Sequence, residues 1–186
     1  FDPHRELERW TSQEATALRR ASPDLYSQRW RVDRQANRDY RLCPTYPQEV
    51  LLPTALPPET LRASAKFRSK CRFPMISWVH PCNGAVLVRC SQPMVGSNFN
   101  TTTAARLDHE CLMAFASGES RELTILDARP YKNAQANRMG GGGTETSLGY
   151  ESCNVQFLDI ENVHVMREAL SGLRAAVCQQ EDYGMY

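Results

Sequence analysis

Four consecutive glycines, Gly140 to Gly143, follow the polar run "NAQANRM" and precede Thr144 and Glu145. Backbone stripped of side chains can approach a bulky ligand, or it can simply form a flexible loop. A nucleotide P-loop is excluded, because Gly-x4-Gly-Lys-Ser/Thr is absent and only Thr144 follows the run. Nor does a Gly-x-Gly-x-x-Gly follow a strand. Asparagines stand on either side, Asn137 before the glycines and Asn162 at the head of a periodic apolar segment. Asn162 is suited to cap a helix, leaving the N–H groups of Val163 and His164 pointing outward at the positive end of the helix dipole, a seat for an anion. An ordinary cap explains the same asparagine without a ligand. Asn137 equally reads as a C-terminal helix terminator.

A nucleophile is harder to find. A cysteine phosphatase needs a thiolate six positions before an arginine, so that one loop of N–H groups and one guanidinium surround the phosphate. The nearest approach is Cys82 with Arg89, one residue too long and along a strand-like segment. No catalytic residue is therefore assigned. Cysteines 43, 71, 82, 90, 111, 153 and 178 show no repeated spacing and no Cys-x-x-Cys, so no metal site is expected. His80, His109 and His164 have no partner pattern and read as packing or surface residues. No serine-histidine-acid set can be defended.

The elements that must position these residues follow from periodicity. Residues 4 to 20 read as a polar helix that Pro23 interrupts, a connector. "QRWRV" and "EVLLP" read as short strands, and Pro57 and Pro58 open a helix through "ETLRASAKFRS". "PMISWVH" and "GAVLVRC" form a hairpin through Asn83-Gly84. In 104 to 117, Leu107, Cys111 and Phe115 recur at steps of four, an amphipathic helix that packs on a sheet. "ELTILDA", "YKNAQANRM", "NVQFLDI" and a helix from about Asn162 to Cys178 alternate as βαβα, which implies parallel strands. The loops after those two strands then lie side by side, where ligands of parallel sheets bind. Val163, Met166, Leu170, Leu173 and Val177 form one apolar stripe on the last helix.

Composition sets the class. The 186 residues are 41% hydrophobic and 23% charged with net charge +1, which points to a globular unit without bulk attraction to nucleic acid. No apolar run approaches the ~20 residues that span a bilayer. Residues 1 to 10 do not read as a secretory leader. The odd cysteine count suits a reducing compartment, so the expectation is a soluble cytosolic protein. Arginine outnumbers lysine 19 to 3, mostly in helix-like surface runs.

Five segments, "LCPTYPQEVLLP", "FRSKCRFPMISWVHP", "GAVLVRCSQPMVG", "LDARPYKNAQANRMGGG" and "FLDIENVHVMREAL", resemble in order the signature segments of the myotubularin phosphatase domain. The resemblance implies an α/β fold: a partial tyrosine-phosphatase-like domain, a mixed sheet with a β-hairpin and a parallel βαβα half. It implies a helical connector over 1–24, and over 25–186 the N-terminal part of the domain, with the catalytic loop beyond the chain. The implied activity is removal of the 3-phosphate from phosphatidylinositol 3-phosphate or 3,5-bisphosphate, without metal or other cofactor. The alternative is a segment of an inactive pseudophosphatase adaptor. Asn137, Asn162 and Val163 match positions that contact the inositol phosphate head group. Implied partners are that head group, the endosomal membrane through other domains, and homo- or hetero-oligomers with relatives, but no nucleic acid. The implied location is cytoplasmic, peripheral on endosomal membranes.

Overall fold

A computed structural model describes residues 8–9, 11–13, 15–16, 20, 28–80, 82–95, 101–116, 122–146 and 150–182. Of the connector expected over 1–24, the described residues are all helical, and the rest lies outside the described residues. Thr11 and Ala15 are buried, and Glu8 accepts hydrogen bonds from Tyr40 and Gln48. This helical stretch is therefore docked on the core.

Strand β1 (Trp30–Asp33) pairs antiparallel with β2 (Val50–Pro53), Trp30 opposite Pro53 and Asp33 opposite Val50. The uninterrupted apolar run of β2 is buried throughout, as a strand covered on both faces should be. Asn37 holds the turn-rich stretch between them. Its Oδ1 accepts from the N–H groups of Leu42 and Cys43, and its Nδ2 donates to the carbonyls of Cys43, Tyr46 and Pro47. A buried amide with both ends satisfied costs little, and here it fixes a loop that has no ladder of its own.

Helix α1 (Pro58–Phe67) starts on Pro58, whose missing N–H would have been unpaired in any first turn. Strands β3 (Met75–Val79) and β4 (Val86–Arg89) form the expected hairpin, with an irregularity between Ile76 and Trp78. Gly84 takes φ 67°, the left-handed conformation its turn demands. Helix α2 (Thr101–Met113) packs on α1, and strands β5 (Leu123–Asp127) and β6 (Cys153–Phe157) pair in parallel with Leu123 opposite Cys153. Helices α3 (Tyr131–Met139) and α4 (Val163–Asp182) complete the βαβα half.

The α/β class, with antiparallel hairpins and a parallel pair, is as expected. The strands do not join into one mixed sheet, however. Among the described residues they form three two-stranded sheets, β1-β2, β3-β4 and β5-β6. The stripe on α4 is also open among the described residues: Val163, Met166, Leu170, Leu173 and Val177 are each more than half exposed.

One buried charge cluster joins the hairpin half to the parallel half. Arg68, just past α1, donates from Nε and Nη2 to Asp108 of α2 at 2.8 and 2.6 Å. Its Nη1 donates to Glu145 at 2.8 Å, to the Ser91 carbonyl at 2.5 Å and to the Cys90 sulfur at 3.0 Å. Ser64 and Tyr150 hydroxyls also donate to Asp108, at 2.5 and 2.7 Å. Burial alone would lower the Arg68 pKa. The Cys90 sulfur and the Asp108 and Glu145 carboxylates reverse this and hold it well above its ordinary value. Burial pushes the Cys90 thiol up to about 11 despite the neighbouring guanidinium, so it is a neutral acceptor at pH 7.

Removing one partner of such a cluster leaves uncompensated buried charge, at a cost of about 3–5 kcal/mol. Arg68→Met, which strands both carboxylates, is expected to lower the melting temperature by roughly 10 °C or more, by the scaling for chains of this size. Arg106→Met removes the exposed Arg106–Glu110 pair and should cost less than about 1 kcal/mol. Circular-dichroism melts of the two variants test the contrast. Equal losses would mean that the buried cluster is not what holds the halves together.

Candidate functional site

A cleft of about 680 Å³ opens between β4 and β5, and Asn137, Asp127, Arg129 and Gln92 lie on its wall. Asp127 and Arg129 stand at the carboxyl end of β5, within the segment "LDARP". The Arg129 Nε and Nη2 donate to the two Asp127 oxygens at 3.0 and 2.6 Å, and Nη2 also reaches the Gly143 carbonyl at 3.3 Å. Its Nη1 donates to Gln92 Oε1, on the segment that continues β4. One guanidinium thus ties together the ends of two strands and the glycine loop. Burial alone would raise the Asp127 pKa, but the bonds from the Arg129 side chain and N–H hold it below the ordinary carboxylate range. The same bonds raise the pKa of Arg129.

The glycine run packs on its own chain. Met94 and Gly142 form a β-bridge, and Val95 N–H donates to the Gly141 carbonyl at 3.0 Å. A Cβ on Gly142 would stand 2.5 Å from Gln92 Nε2, and one on Gly143 would stand 2.8 Å from Val95 Cγ2. Gly141 has φ 84°, which L-residues avoid. Of the two readings of this run, close backbone approach is the one realised, with residues 92–95 in the place of a ligand.

That packing positions Asn137. Its carbonyl accepts from Gly140 and Gly142 N–H at 3.1 and 2.9 Å, so the loop folds back over the end of α3. The other end of α3 is fixed by Tyr131, which meets Phe157 of β6 edge-on at 5.1 Å, and by the buried Ala134. Asn137 is exposed and lines the cleft, and its side chain makes no hydrogen bond among the described residues. It is thus a terminator in its backbone and free in its amide.

Asn162 does cap α4. Its Oδ1 accepts from His164 N–H at 2.9 Å and Val165 N–H at 3.3 Å. The expected free N–H of His164 is therefore consumed by the cap, while the Nδ2 of Asn162 has no partner among the described residues. The two strand-end loops do lie together, as parallel pairing requires: Leu158 and Ile160 donate to the carbonyls of Asp127 and Ala128 at 2.8 and 2.9 Å. Asn162 and Val163 follow that contact but do not line the cleft. His80 accepts from Cys82 and Asn83 N–H in the hairpin turn, and His109 bonds the Glu151 carbonyl.

Sequence reading missed Arg129, Asp127 and Gln92 as a unit, although an acid and a base two residues apart just beyond a strand could have marked the first two. It also missed Asp108. The signal was an Asp in register with Ala105, Cys111, Leu112 and Phe115 on the buried side of an amphipathic helix.

Two outcomes are expected. Gly143→Ala should destabilise by about 1–3 kcal/mol through overpacking on Val95, and adding Val95→Ala should recover part of the loss in the double mutant, read by denaturant unfolding. Asp127 is more acidic folded than unfolded, so its contribution is present at neutral pH and lost as pH falls below about 4. The stability gap between the wild-type chain and Asp127→Asn should therefore shrink between pH 7 and pH 3 in paired melts.

A family model described as "Myotubularin-like phosphatase domain" matches residues 1–185. The chain is 43% identical over 150 residues to Phosphatidylinositol-3,5-bisphosphate 3-phosphatase MTMR2 of Pongo abelii, covering 80% of this chain and 23% of that protein. It is 42% identical over 151 residues to Phosphatidylinositol-3-phosphatase myotubularin-2 of Arabidopsis thaliana, with 78% and 18% covered. It is also 42% identical over 155 residues to Myotubularin of Xenopus laevis, with 82% and 25% covered. The shared stretch is thus a quarter or less of each relative's length. With matches this extensive, and a parallel strand, β5, whose carboxyl end opens on a cleft, the chain belongs to the myotubularin-like phosphatase domain family.

Proposed function

We propose that this chain is the N-terminal part of a phosphatase domain that removes the 3-phosphate from phosphatidylinositol 3-phosphate or 3,5-bisphosphate, and that it supplies substrate-facing loops. The observation that carries the reading is Asn137, on the wall of the cleft at the carboxyl end of β5 and with an amide unbonded among the described residues, in a chain whose relatives are named as 3-phosphatases. Those names favour an active enzyme over an inactive adaptor. Asn162, with one oxygen committed to its cap, has its Nδ2 left to donate to a head-group oxygen, and the adjoining Val163 backbone N–H is the second donor. The family match spans residues 1–185, and within it we divide a helical connector, 1–24, from the α/β part that begins at about residue 25.

The buried thiols are poor candidates for the nucleophile. Among the described thiols, burial raises Cys90 to about 11 and Cys111 to about 12, which keeps both protonated at neutral pH. The chain's part is recognition: neutral amide and backbone donors that orient the inositol ring and leave the reacting phosphate to a separate nucleophile. Lipid substrates lie in membranes, and we extend the proposal to action at the cytoplasmic face of endosomal membranes and to homo- or hetero-oligomers with its relatives.

A chimera in which this chain replaces the matching stretch of the Mus musculus MTMR2 relative tests the reading. It should release phosphate from phosphatidylinositol 3-phosphate, while residues 1–186 alone should release none. Asn137→Ala or Asn162→Ala in the chimera should lower kcat/KM by roughly ten-fold or more, since a lost hydrogen bond to a charged group costs about 1.5–3 kcal/mol. A folded chimera whose efficiency ignores both substitutions would refute the assignment of these asparagines.

A further inference from the structure

We propose that the outer face of α3 is a contact for an anionic lipid surface, made by Lys132 and Arg138 together with Tyr131 and Met139. With about 3.6 residues per turn, Tyr131, Gln135 and Arg138 fall at i, i+4 and i+7, and Lys132 and Met139 at i+1 and i+8, so these side chains share one side of the helix. Ala134, the buried residue of α3, and Asn137, on the cleft wall, lie off that side. Tyr131, Lys132, Arg138 and Met139 are all exposed, and none of the four lines the cleft.

The composition of the face names its occupant. The helix carries no acidic residue, and neither Lys132 nor Arg138 enters an ion pair among the described residues. Their neighbour Arg129 is already paired with Asp127, so the free charge here is that of the two helix cations. Met139 is 94% exposed and Tyr131 57%. An apolar side chain so fully in water adds nothing to the packing of the fold. A basic face that also shows an aromatic ring and an apolar chain is the pattern of helices that lie on membranes. The ring suits the boundary between head groups and acyl chains, and long cationic side chains reach lipid phosphates with their stems against apolar atoms.

A second copy of this chain fits the face poorly, because an isologous contact would set Lys132 and Arg138 against their own counterparts. The choice of a lipid over a protein rests on the proposed substrate. A chain seated by this face holds Asn137 within one helix diameter, roughly 10–12 Å, of the bilayer.

The test is co-sedimentation of the 186-residue chain with vesicles of phosphatidylcholine alone and of phosphatidylcholine with phosphatidylserine, both free of phosphoinositide. Binding should require phosphatidylserine and fall as salt is raised. Each cation near an anionic surface is worth about five-fold in affinity, so Lys132→Gln with Arg138→Gln should weaken binding roughly ten- to thirty-fold. Met139→Ser should weaken it at least about three-fold. Arg62→Gln with Lys66→Gln removes the same charge from exposed positions on α1 and should weaken it less than about three-fold. These exposed changes should leave the melt of the free chain within about 1–2 °C. The proposal is overturned if the chain ignores phosphatidylserine, if the α1 and α3 pairs weaken binding equally, or if the α3 variants bind unchanged, as they would were the α4 stripe the part that enters the bilayer. A dimer in sedimentation velocity that Met139→Ser dissolves would make a second copy the occupant and overturn it too. A chimera indifferent to Asn137→Ala and Asn162→Ala, with vesicle binding as expected, removes the functional reading alone, and the reverse removes this one alone.

Discussion

The arrangement of this chain depends on keeping the Arg68 guanidinium charged in a place closed to bulk solvent. That requirement recruits Asp108 from α2, Glu145 from the end of the glycine loop, and a carbonyl and a sulfur from the segment after β4. Hydrophobic burial alone would let α2 slide against α1, because dispersion contacts are numerous but weakly directional. A planar fork with fixed donors does not permit such sliding. The main core around Trp30, Leu52, Phe73 and Ile76 and the smaller cluster around Phe67, Leu112 and Tyr150 therefore meet in one register.

That register reaches the cleft through short links. Glu145 lies two residues beyond Gly143, and Gly143 is held by Arg129 and packed on Val95. The glycines serve this geometry by being thin: they let a loop lie flat on residues 92–95 and fold back on the end of α3. Asn137 is presented to the cleft as a result.

Much of this was legible because it is local. The proline at the start of α1, the Asn-Gly turn between β3 and β4, the span "YKNAQANRM" and the βαβα order each depend on residues within one turn or one crossover, and each stands where its pattern places it. What could not be read depends on separation. Nothing in the spacing of Arg68, Asp108 and Glu145 marks them as partners, and an arginine in an Arg-rich chain attracts no notice. The gap between β4 and β5 was hidden for another reason. Alternation and β-branching locate strands but do not say which strands are neighbours. The exposed stripe on α4 shows the same limit, since its 3-4-3-4 spacing predicts an apolar face and is silent on what covers it.

The distances in sequence between paired elements also order events during synthesis. The two hairpins close within segments 30–53 and 75–89, soon after those residues leave the ribosome. Arg68 meets Asp108 forty residues after its own emergence and Glu145 only after 77. At about 5–20 residues per second, roughly 4–15 seconds pass before its charge is fully compensated. Through that interval the nascent chain holds a closed N-terminal half with an ionic socket still open, and the arrival of Glu145 and Tyr150 is the step that locks it.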